Sequence, residues 1–440
     1  MLQKVIAGLG KTGMSCVRYL SQFKEKIAIV DNRECPPYIE ELKTKFPEIP
    51  LSLGKLDPFY LNQAREIIVS PGIPLTEEAL INAQKNGAII IGDIELFAQA
   101  AHAPIAAITG SNGKSTVTTL LGEMAKKAQL SVKVGGNLGI PALDLLDKQA
   151  ELYVLELSSF QLETTNSLKA DAAVVLNITP DHMDRYQTLD EYRDAKQRIY
   201  AHSKIAIINR NDPYSYTHAP LPNKIISFGL DKPEAHNFGY ANGYLLHGEK
   251  KLLASSELKI KGQHQIANAL AALALGSALN LPMTAMLNAL REFPGLAHRC
   301  QWIIKHKKVD WYNDSKGTNV GATKAAIDGL GAEINGKIIL IAGGIGKDAD
   351  FSPLRESAIK YVRTVILIGK DAQKISAALK SDVDKTLAKD MQDAVKIAYL
   401  KAKEGDAVLL SPACASFDMF NNFEHRGDVF IAAIQEILCP

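Results

Sequence analysis

The segment Thr109-Gly110-Ser111-Asn112-Gly113-Lys114-Ser115-Thr116 has the residue types and spacing to hold a phosphate chain. An apolar run at 105–108 precedes it, and a helical pattern to 128 follows. A glycine-rich turn that opens a helix presents unpaired N–H groups to anionic oxygens. Lys114 would reach the β/γ-phosphates of a nucleotide, and the Ser115 hydroxyl would coordinate Mg²⁺. The spacing is Gly-x-x-Gly-Lys-Ser, with Ile108 where the commoner loop has its first glycine. An ordinary strand-to-helix turn is the bland alternative, and the flanking strand and helix weigh against it.

A second loop, Gly8-Leu9-Gly10-Lys11-Thr12-Gly13, is a full Gly-x-Gly-x-x-Gly between a strand and a helix, and Asp31 ends the next strand. Both features match the dinucleotide fingerprint, so an NAD-dependent dehydrogenase is a serious rival. The physics specifies only a diphosphate at a helix N-terminus, which a UDP-linked substrate also carries. A tight turn with no ligand is the third alternative. Two phosphate loops in separate domains fit ATP plus a second phosphorylated ligand better than a dehydrogenase. Ser70-Pro71-Gly72 closes another strand of the same domain and could line the same cleft.

Glu156 interrupts the apolar run 153–157, and a buried glutamate needs a cation or a strand end. A Mg²⁺ ligand and a salt bridge remain equal alternatives. Asp181 and His182 follow the run 172–178, where parallel sheets bind ligands beyond their carboxyl strand ends. Lys196 falls inside the apolar stripe of a helix expected at 190–202, with Tyr192, Ala195, Ile199 and Tyr200. Snorkelling is the usual explanation. A desolvated lysine is the other, and its neutral amine reacts with electrophiles.

The elements that must position these groups recur along the chain. Apolar runs alternate with helical patterns, the mark of repeated βα units. Strands are expected at 5–7, 27–30, 67–69 and 89–91. A second block has 105–109, 153–157, 172–178, 205–209 and 225–228, and a third has 309–312, 337–342, 364–368 and 407–410. The polar stretch 211–248 reads as loop with short antiparallel strands. Breaks fall near 92–103 and 293–298, so three α/β domains are expected at 1–92, 93–296 and 297–440, a number that 440 residues allow. Fifty Lys+Arg against 48 Asp+Glu leave +2, which argues against a basic nucleic-acid-binding surface. No apolar run is long enough for a membrane span, and the start lacks signal-peptide features. Cys16, Cys35, Cys300, Cys414 and Cys439 show no Cys-x-x-Cys spacing, so neither a disulfide framework nor a cysteine zinc site is expected. A cytoplasmic monomer without membrane insertion is the expectation.

Together these motifs resemble the Mur ligases. The resemblance rests on the 109–116 loop, Gly135-Gly136-Asn137, Glu156-Leu157-Ser158-Ser159, Asp181-His182-Met183-Asp184 and Gly262-Gln263-His264. It continues through His298-Arg299, Asn313-Asp314-Ser315-Lys316 and Ser411-Pro412-Ala413-Cys414-Ala415-Ser416. It implies a Rossmann-like N-terminal domain, a central P-loop ATPase domain with a mostly parallel sheet, and a Rossmann-like C-terminal domain. Within the family the resemblance is greatest to the activity that adds D-glutamate to UDP-N-acetylmuramoyl-L-alanine in peptidoglycan precursor synthesis. Another Mur-type or a folylpolyglutamate-type ligase is the alternative.

The resemblance also implies roles. Lys11, Thr12, Asp31, Arg33, Ser70, Gly72 and Asn137 would hold the UDP-linked substrate. Gly110, Asn112, Gly113, Lys114, Ser115 and Thr116 would hold the ATP phosphates, with Asn268 at adenine and Arg299 and Asp314 at γ-phosphate and ribose. Ser115 and Glu156 would hold one Mg²⁺; His182 and a carbamylated Lys196 would hold a second. Lys316, Thr318, Lys347, Ser416 and Phe423 would position D-glutamate. Lys114, His182, Lys196 and Arg299 are the expected catalytic group. Gln265 follows His264 where the family pattern has Asn.

Overall fold

Short runs rich in Val, Ile and Leu become strands buried on both faces when helices cover a parallel sheet. The computed structural model describes residues 4–23, 25–260 and 262–438. Cys439 lies outside the described residues.

The first sheet contains β1 (Lys4–Ala7), β2 (Ile27–Val30), β3 (Leu51–Ser52), β4 (Glu66–Val69) and β5 (Ile89–Ile91). Its order is β3-β2-β1-β4-β5 and every pair is parallel, a Rossmann-like half. The strand order reverses between β1 and β4, so the loops after them share one crevice. Ser70 Oγ donates to Gly8 O across it at 3.1 Å. Gly13 has to be glycine, since a Cβ there would meet Gly8 O at 1.8 Å.

The second sheet holds β6 (Ile105–Thr109), β7 (Val132–Gly136), β8 (Leu152–Glu156), β9 (Ala172–Val175), β10 (Ile205–Asn209) and β11 (Lys224–Phe228). β12 (Phe238–Ala241), β13 (Tyr244–His247) and β14 (Lys250–Ala254) complete it as an antiparallel meander. The order is β14-β13-β12-β11-β10-β9-β6-β8-β7, parallel from β7 to β11. Here the reversal lies between β6 and β9, which brings the 109–116 loop beside residues 176–182.

The third sheet holds β15 (Gln301–His306), β16 (Val309–Asn313), β17 (Ile338–Gly343), β18 (Val362–Ile368), β19 (Asp384–Leu387) and β20 (Ala407–Leu410). It runs β15-β16-β20-β17-β18-β19, parallel apart from the β15–β16 hairpin.

Two expected elements end early. The run 172–178 stops as a strand at Val175, because the next residues bind loops instead of a neighbouring strand. Asn177 O accepts the Ser111 N–H at 2.9 Å, and Ile178 N donates to Asp212 Oδ2 at 2.7 Å. The helix expected at 190–202 is α-helical only over Leu189–Gln197 and tightens into a 3₁₀ turn at Arg198–Tyr200. There Arg198 donates to the carbonyls of Leu162 and Thr165, and Tyr200 Oη is fixed by Val175 N and Ile207 O.

The packing divides the molecule unevenly. One apolar cluster runs from Ile6 and Val17 through Ile94 and Phe97 to Tyr153 and Tyr200, so the first two sheets share a core. The clusters around the third sheet contain only residues from 300 onward. The third domain meets the second through polar contacts: Arg299–Ser115, Lys347–Asp181, Asn319 with Asn112 and Asp181, and Gly262 N–Glu333. Hydrogen bonds exchange with water at little net cost, whereas a shared apolar core does not. The third domain therefore has cores of its own and meets the second across polar contacts instead of a shared apolar cluster.

Asp93 sits at the junction of the first two domains, 1% exposed, with Oδ2 accepting from Gln161 Nε2 at 3.2 Å and Oδ1 unpartnered. Burial pushes its carboxyl up to about 6, against the Gln161 amide and nearby backbone N–H groups. A carboxyl whose folded pKa lies above its unfolded value binds its proton more tightly in the folded state. Its ionisation therefore subtracts stability as pH rises from about 4 to about 6, and the full penalty persists above that. Asp93→Asn keeps an acceptor for Gln161 and is expected to stabilise the protein at pH 8 by up to about 3 kcal/mol. The gain should shrink towards pH 4.5, as read from denaturant melts at the two pH values.

Candidate active site

The helix Lys114–Lys127 starts from Gly113, whose φ of +84° suits glycine, and a Cβ there would meet Asn268 Oδ1 at 2.4 Å. Asn177 shapes the loop by accepting the Asn112 N–H on Oδ1 at 2.8 Å and donating to Asn112 O at 3.1 Å. The first-turn N–H groups of the helix, which have no intrahelical acceptor, remain for an anion. Lys114 Nζ curls onto the carbonyls of Gly110 and Ser111, both at 2.8 Å. Arg299, from the third domain, donates from Nη2 to Ser115 Oγ at 2.7 Å.

Glu156 ends β8 at the same edge of the sheet and is 3% exposed. Its Oε1 accepts from Asn137 Nδ2 at 2.6 Å, while Oε2 is buried without a partner. Among the described residues no Lys or Arg forms an ion pair with it, which removes the salt-bridge alternative. A buried carboxylate oxygen with no donor beside a Ser hydroxyl is the hard oxygen set that Mg²⁺ takes.

Lys196 does not snorkel. It is 2% exposed, with Nζ 4.5 Å above the Tyr192 ring. Burial, and then the charge of Lys114, hold its amine well below the ordinary lysine range. His182 has a positive φ of 57° and packs edge-on against Phe160. Burial lowers its ring to about 4, so near neutral pH the imidazole is uncharged and able to ligate a cation. Burial alone would raise the Asp181 carboxyl, but Lys347, His182 and Asn319 hold it below its usual value. Among the described residues no group of three His, Cys, Asp or Glu side chains forms a metal site. A second cation would therefore depend on Lys196 carrying an added oxygen donor.

The loop opens on one side to a cavity of about 140 Å³ lined by Asn112, Thr116, His264, Asn268 and Asp314. Gln265 accepts from Asn268 Nδ2 at 3.2 Å, so the residue that departs from the family pattern orients the amide beside it. Burial pushes Asp314 up to about 6, against the Ser411 hydroxyl and Cys300 N–H that bond it. On the other side a cleft of about 650 Å³ is lined by Gly10, Lys11, Thr12, Arg33, Ser70, Gly72 and Asn137.

Asp31 is fully buried in the wall of that cleft, with both oxygens taken by Leu9 N and by the Arg33 backbone and guanidinium. It has no acceptor left for a ribose hydroxyl, which counts against the dehydrogenase, and it projects Arg33 instead. Lys11 Nζ donates to Gly139 O across the cleft.

Lys316, Ser416 and Phe423 lie on adjoining segments, with Lys316 Nζ 3.6 Å above the Phe423 ring. Burial, with Arg299 nearby, lowers the Lys316 amine to about 8. Thr318 follows directly, its N–H on Lys316 O. Lys347 is turned to Asp181 at 3.1 Å. Even with Lys196 neutral, Lys114, Arg299, Lys316 and Lys347 outnumber Glu156, Asp181 and Asp314. The centre is cationic although the chain is nearly neutral.

Asn177, Asn319 and Arg426 are not among the residues expected from the sequence, and Ser411 enters there only as the head of the Ser411–Ser416 motif. Asn177 carried a signal, a polar residue just past a strand beside the phosphate loop. Asn319 and Arg426 join segments distant in sequence and carried none.

Fold and site together define a nucleotide-binding α/β enzyme whose phosphate loop is completed by a residue from a separate domain. The chain matches the Mur ligase MurD-like N-terminal domain over residues 2–92, the Mur ligase middle domain over 108–276 and the Mur ligase glutamate ligase domain over 298–414. It belongs to the Mur ligase family. It is 52% identical over 441 residues to a UDP-N-acetylmuramoylalanine–D-glutamate ligase of Pseudomonas aeruginosa, covering 99% of this chain and 98% of that one. It is 50% identical over 435 residues to the ligase of the same name from Coxiella burnetii, covering 98% of each. Among solved structures it resembles a pseudomurein peptide ligase type C from Methanothermus fervidus, with TM-score 0.63, 18% identity, and 99% and 100% coverage. It also resembles a MurF ligase from Thermotoga maritima in complex with ADP, with TM-score 0.62, 18% identity, and 99% and 96% coverage. At that identity these two show the fold alone. No helix among the described residues is long and apolar enough to cross a membrane.

Proposed function

We propose that this chain joins D-glutamate to UDP-N-acetylmuramoyl-L-alanine by an ATP-dependent amide ligation in peptidoglycan precursor synthesis. The observation that carries the geometry is the 2.6 Å hydrogen bond from Asn137 to Glu156. Asn137 lines the cleft beside the Gly8–Gly13 loop, and Glu156 stands at the phosphate loop. This bond supports a reading in which the end of a substrate lying in the first cleft would come to the γ-phosphate end of the second. The choice of D-glutamate is supported by the relatives of 50–52% identity.

In the reaction the L-alanyl carboxylate attacks the γ-phosphorus and ADP leaves with the electron pair. Lys114 and Arg299 offset charge on the moving phosphoryl group. The D-glutamate amine then attacks the acyl phosphate, the amide bond forms, and inorganic phosphate departs as the amine loses a proton. Ser115 and Glu156 would hold a Mg²⁺ ion, with His182 and carbamylated Lys196 at a second; bound there, the ions neutralise phosphate charge. Lys11, Thr12, Arg33, Ser70 and Gly72 would hold the UDP part, with Asp31 acting through Arg33. Asn268 and Asp314 would hold adenine and ribose. Lys316, Thr318, Lys347, Ser416 and Phe423 would hold D-glutamate once Lys347 exchanges Asp181 for substrate. Boundaries near 92 and 296 would let the third domain close over the nucleotide.

The test is phosphate release from ATP with UDP-N-acetylmuramoyl-L-alanine across a panel of D- and L-amino acids. Release should require the muramyl substrate and rise selectively with D-glutamate. Release indifferent to D-glutamate would remove the substrate assignment and leave the fold standing.

A further inference from the structure

Arg426 lies in the first turn of the helix Phe423–Leu438 and is 1% exposed. Its Nε donates to Ser315 Oγ at 3.0 Å, Nη1 to Cys414 O at 3.0 Å and Nη2 to Ser315 O at 2.8 Å. All three acceptors are neutral. Among the described residues no carboxylate forms an ion pair with this guanidinium, and Asp418 and Asp314 act on it only at longer range. Burial lowers its pKa to about 10, so it stays charged at neutral pH.

The acceptors identify what the side chain holds together. Ser315 precedes Lys316, Cys414 lies two residues before Ser416, and Arg426 is three residues after Phe423. Ser315 Oγ also donates to Phe423 O at 2.8 Å, and Asn313 Nδ2 donates to Gly427 O at 3.2 Å. The loop 313–316, the loop 411–416 and the helix start are thus tied at one point. The three acceptors need three donors in a fixed fork, which a guanidinium supplies and a side-chain amide, with two N–H groups, does not. A buried charge is costly when unpaired, and it leaves a positive potential around it that water does not screen. The mechanism above makes no use of it.

We infer that Arg426 is a positioning and specificity-determining residue for the amino-acid substrate, its buried charge, which no carboxylate contacts directly, favouring an amino acid that carries a second carboxylate. The inference rests on the reading of Lys316, Ser416 and Phe423 as the amino-acid site. The fork sets the register of those three residues, and the charge discriminates a dicarboxylate from an uncharged isostere. Arg426 itself is buried beneath them and acts through them.

The test compares Arg426→Met and Arg426→Lys with the unaltered enzyme, measuring KM for each substrate and the inhibition constant of D-glutamine against D-glutamate. For Arg426→Met, KM for D-glutamate should rise about tenfold or more, with kcat within about threefold and the KM values for ATP and the UDP substrate unchanged. The preference for D-glutamate over D-glutamine should fall by a similar factor, and Arg426→Lys should recover most of both effects. A preference within about twofold of the unaltered enzyme in Arg426→Met would overturn the inference. So would an equal rise in all three KM values in Arg426→Lys, which decides the matter if Arg426→Met does not fold. Where D-glutamine binds too weakly to measure, recovery of the D-glutamate KM by Lys over Met decides it. Lys316→Ala and Ser416→Ala separate the two levels of argument. If they leave the D-glutamate KM unchanged, the location of the site fails; if they raise it and Arg426→Met does not, only the inference fails.

Discussion

Replacing Lys196 by alanine is expected to lower kcat on the order of a thousandfold, with the protein still folded and still able to bind nucleotide. The reasoning begins with position. Lys196 sits at the end of the helix Leu189–Gln197, 2% exposed, held over the Tyr192 ring within reach of the charges on Lys114, Glu156 and Asp181. An ammonium there would be desolvated and would repel Lys114. A neutral amine avoids both costs, and it can add to CO₂. The N–C bond forms, one N–H proton leaves, and the product carries two carboxylate-like oxygens. That group would add an anionic oxygen donor beside His182, where the described His, Cys, Asp and Glu side chains do not form a three-ligand set. Lys196→Met fills the same volume without an amine and should be as stable as the unaltered protein or more so, yet equally inactive. Short carboxylic acids such as acetate should restore part of the activity to Lys196→Ala, and bicarbonate should not. NMR with isotope-labelled CO₂ should detect the carbamate directly. Full activity of Lys196→Ala would remove the residue from the metal-ligand set.

What the sequence revealed and what it hid follow one physical division. Apolar strands flanked by glycine loops are local patterns, so β1, β6, β8, β17 and β20 and both phosphate loops were legible within a residue or two. Short or polar edge strands were not, although the apolar edge strand β5 was. β3 is two residues long, β15 carries Gln301, Lys305 and His306, and β19 carries Asp384 and Lys385, because a strand with one free side need not be apolar. β7 ends in Gly135 and Gly136, poor strand formers, and was not among the expected strands. In the site, Glu156 and Lys196 announced themselves as polar residues in apolar stretches, but their partners did not. The Asn137–Glu156 bond spans 19 residues, Arg299–Ser115 spans 184, and Arg426–Ser315 spans 111. Contacts of that reach are set by strand order and domain packing, which composition and spacing do not encode. Asp31 shows the same limit in reverse: its type and position fit a ribose ligand, and only the Arg33 fork across both oxygens reveals a positioning role.

Glu156→Gln should separate catalysis from stability as cleanly as any change in this chain. Glutamine retains Oε1 for the Asn137 amide and changes only Oε2, which has no partner to lose. The desolvation relieved by removing the charge is offset by the attraction lost to Lys114, Arg299 and Lys316, so stability should move by less than about 1 kcal/mol. Activity should fall on the order of a thousandfold, because the oxygen given up is the one proposed to share a cation with Ser115. The Mg²⁺ concentration for half-maximal rate should rise at least about tenfold. A charge-assisted bond also becomes a neutral one, so KM for the UDP-linked substrate should rise while KM for ATP changes less. Asn137→Ala should reproduce the effect on the UDP substrate without the altered Mg²⁺ requirement, since Glu156 stays charged. A purely structural Glu156 would give the opposite pattern, with lower melting temperature and activity reduced only in proportion to the unfolded fraction. An ordinary Mg²⁺ requirement and near-full rate in Glu156→Gln would mean that the orphaned oxygen is a buried cost with no ligand, and the phosphate loop would then have to hold its cation through Ser115 and the nucleotide alone.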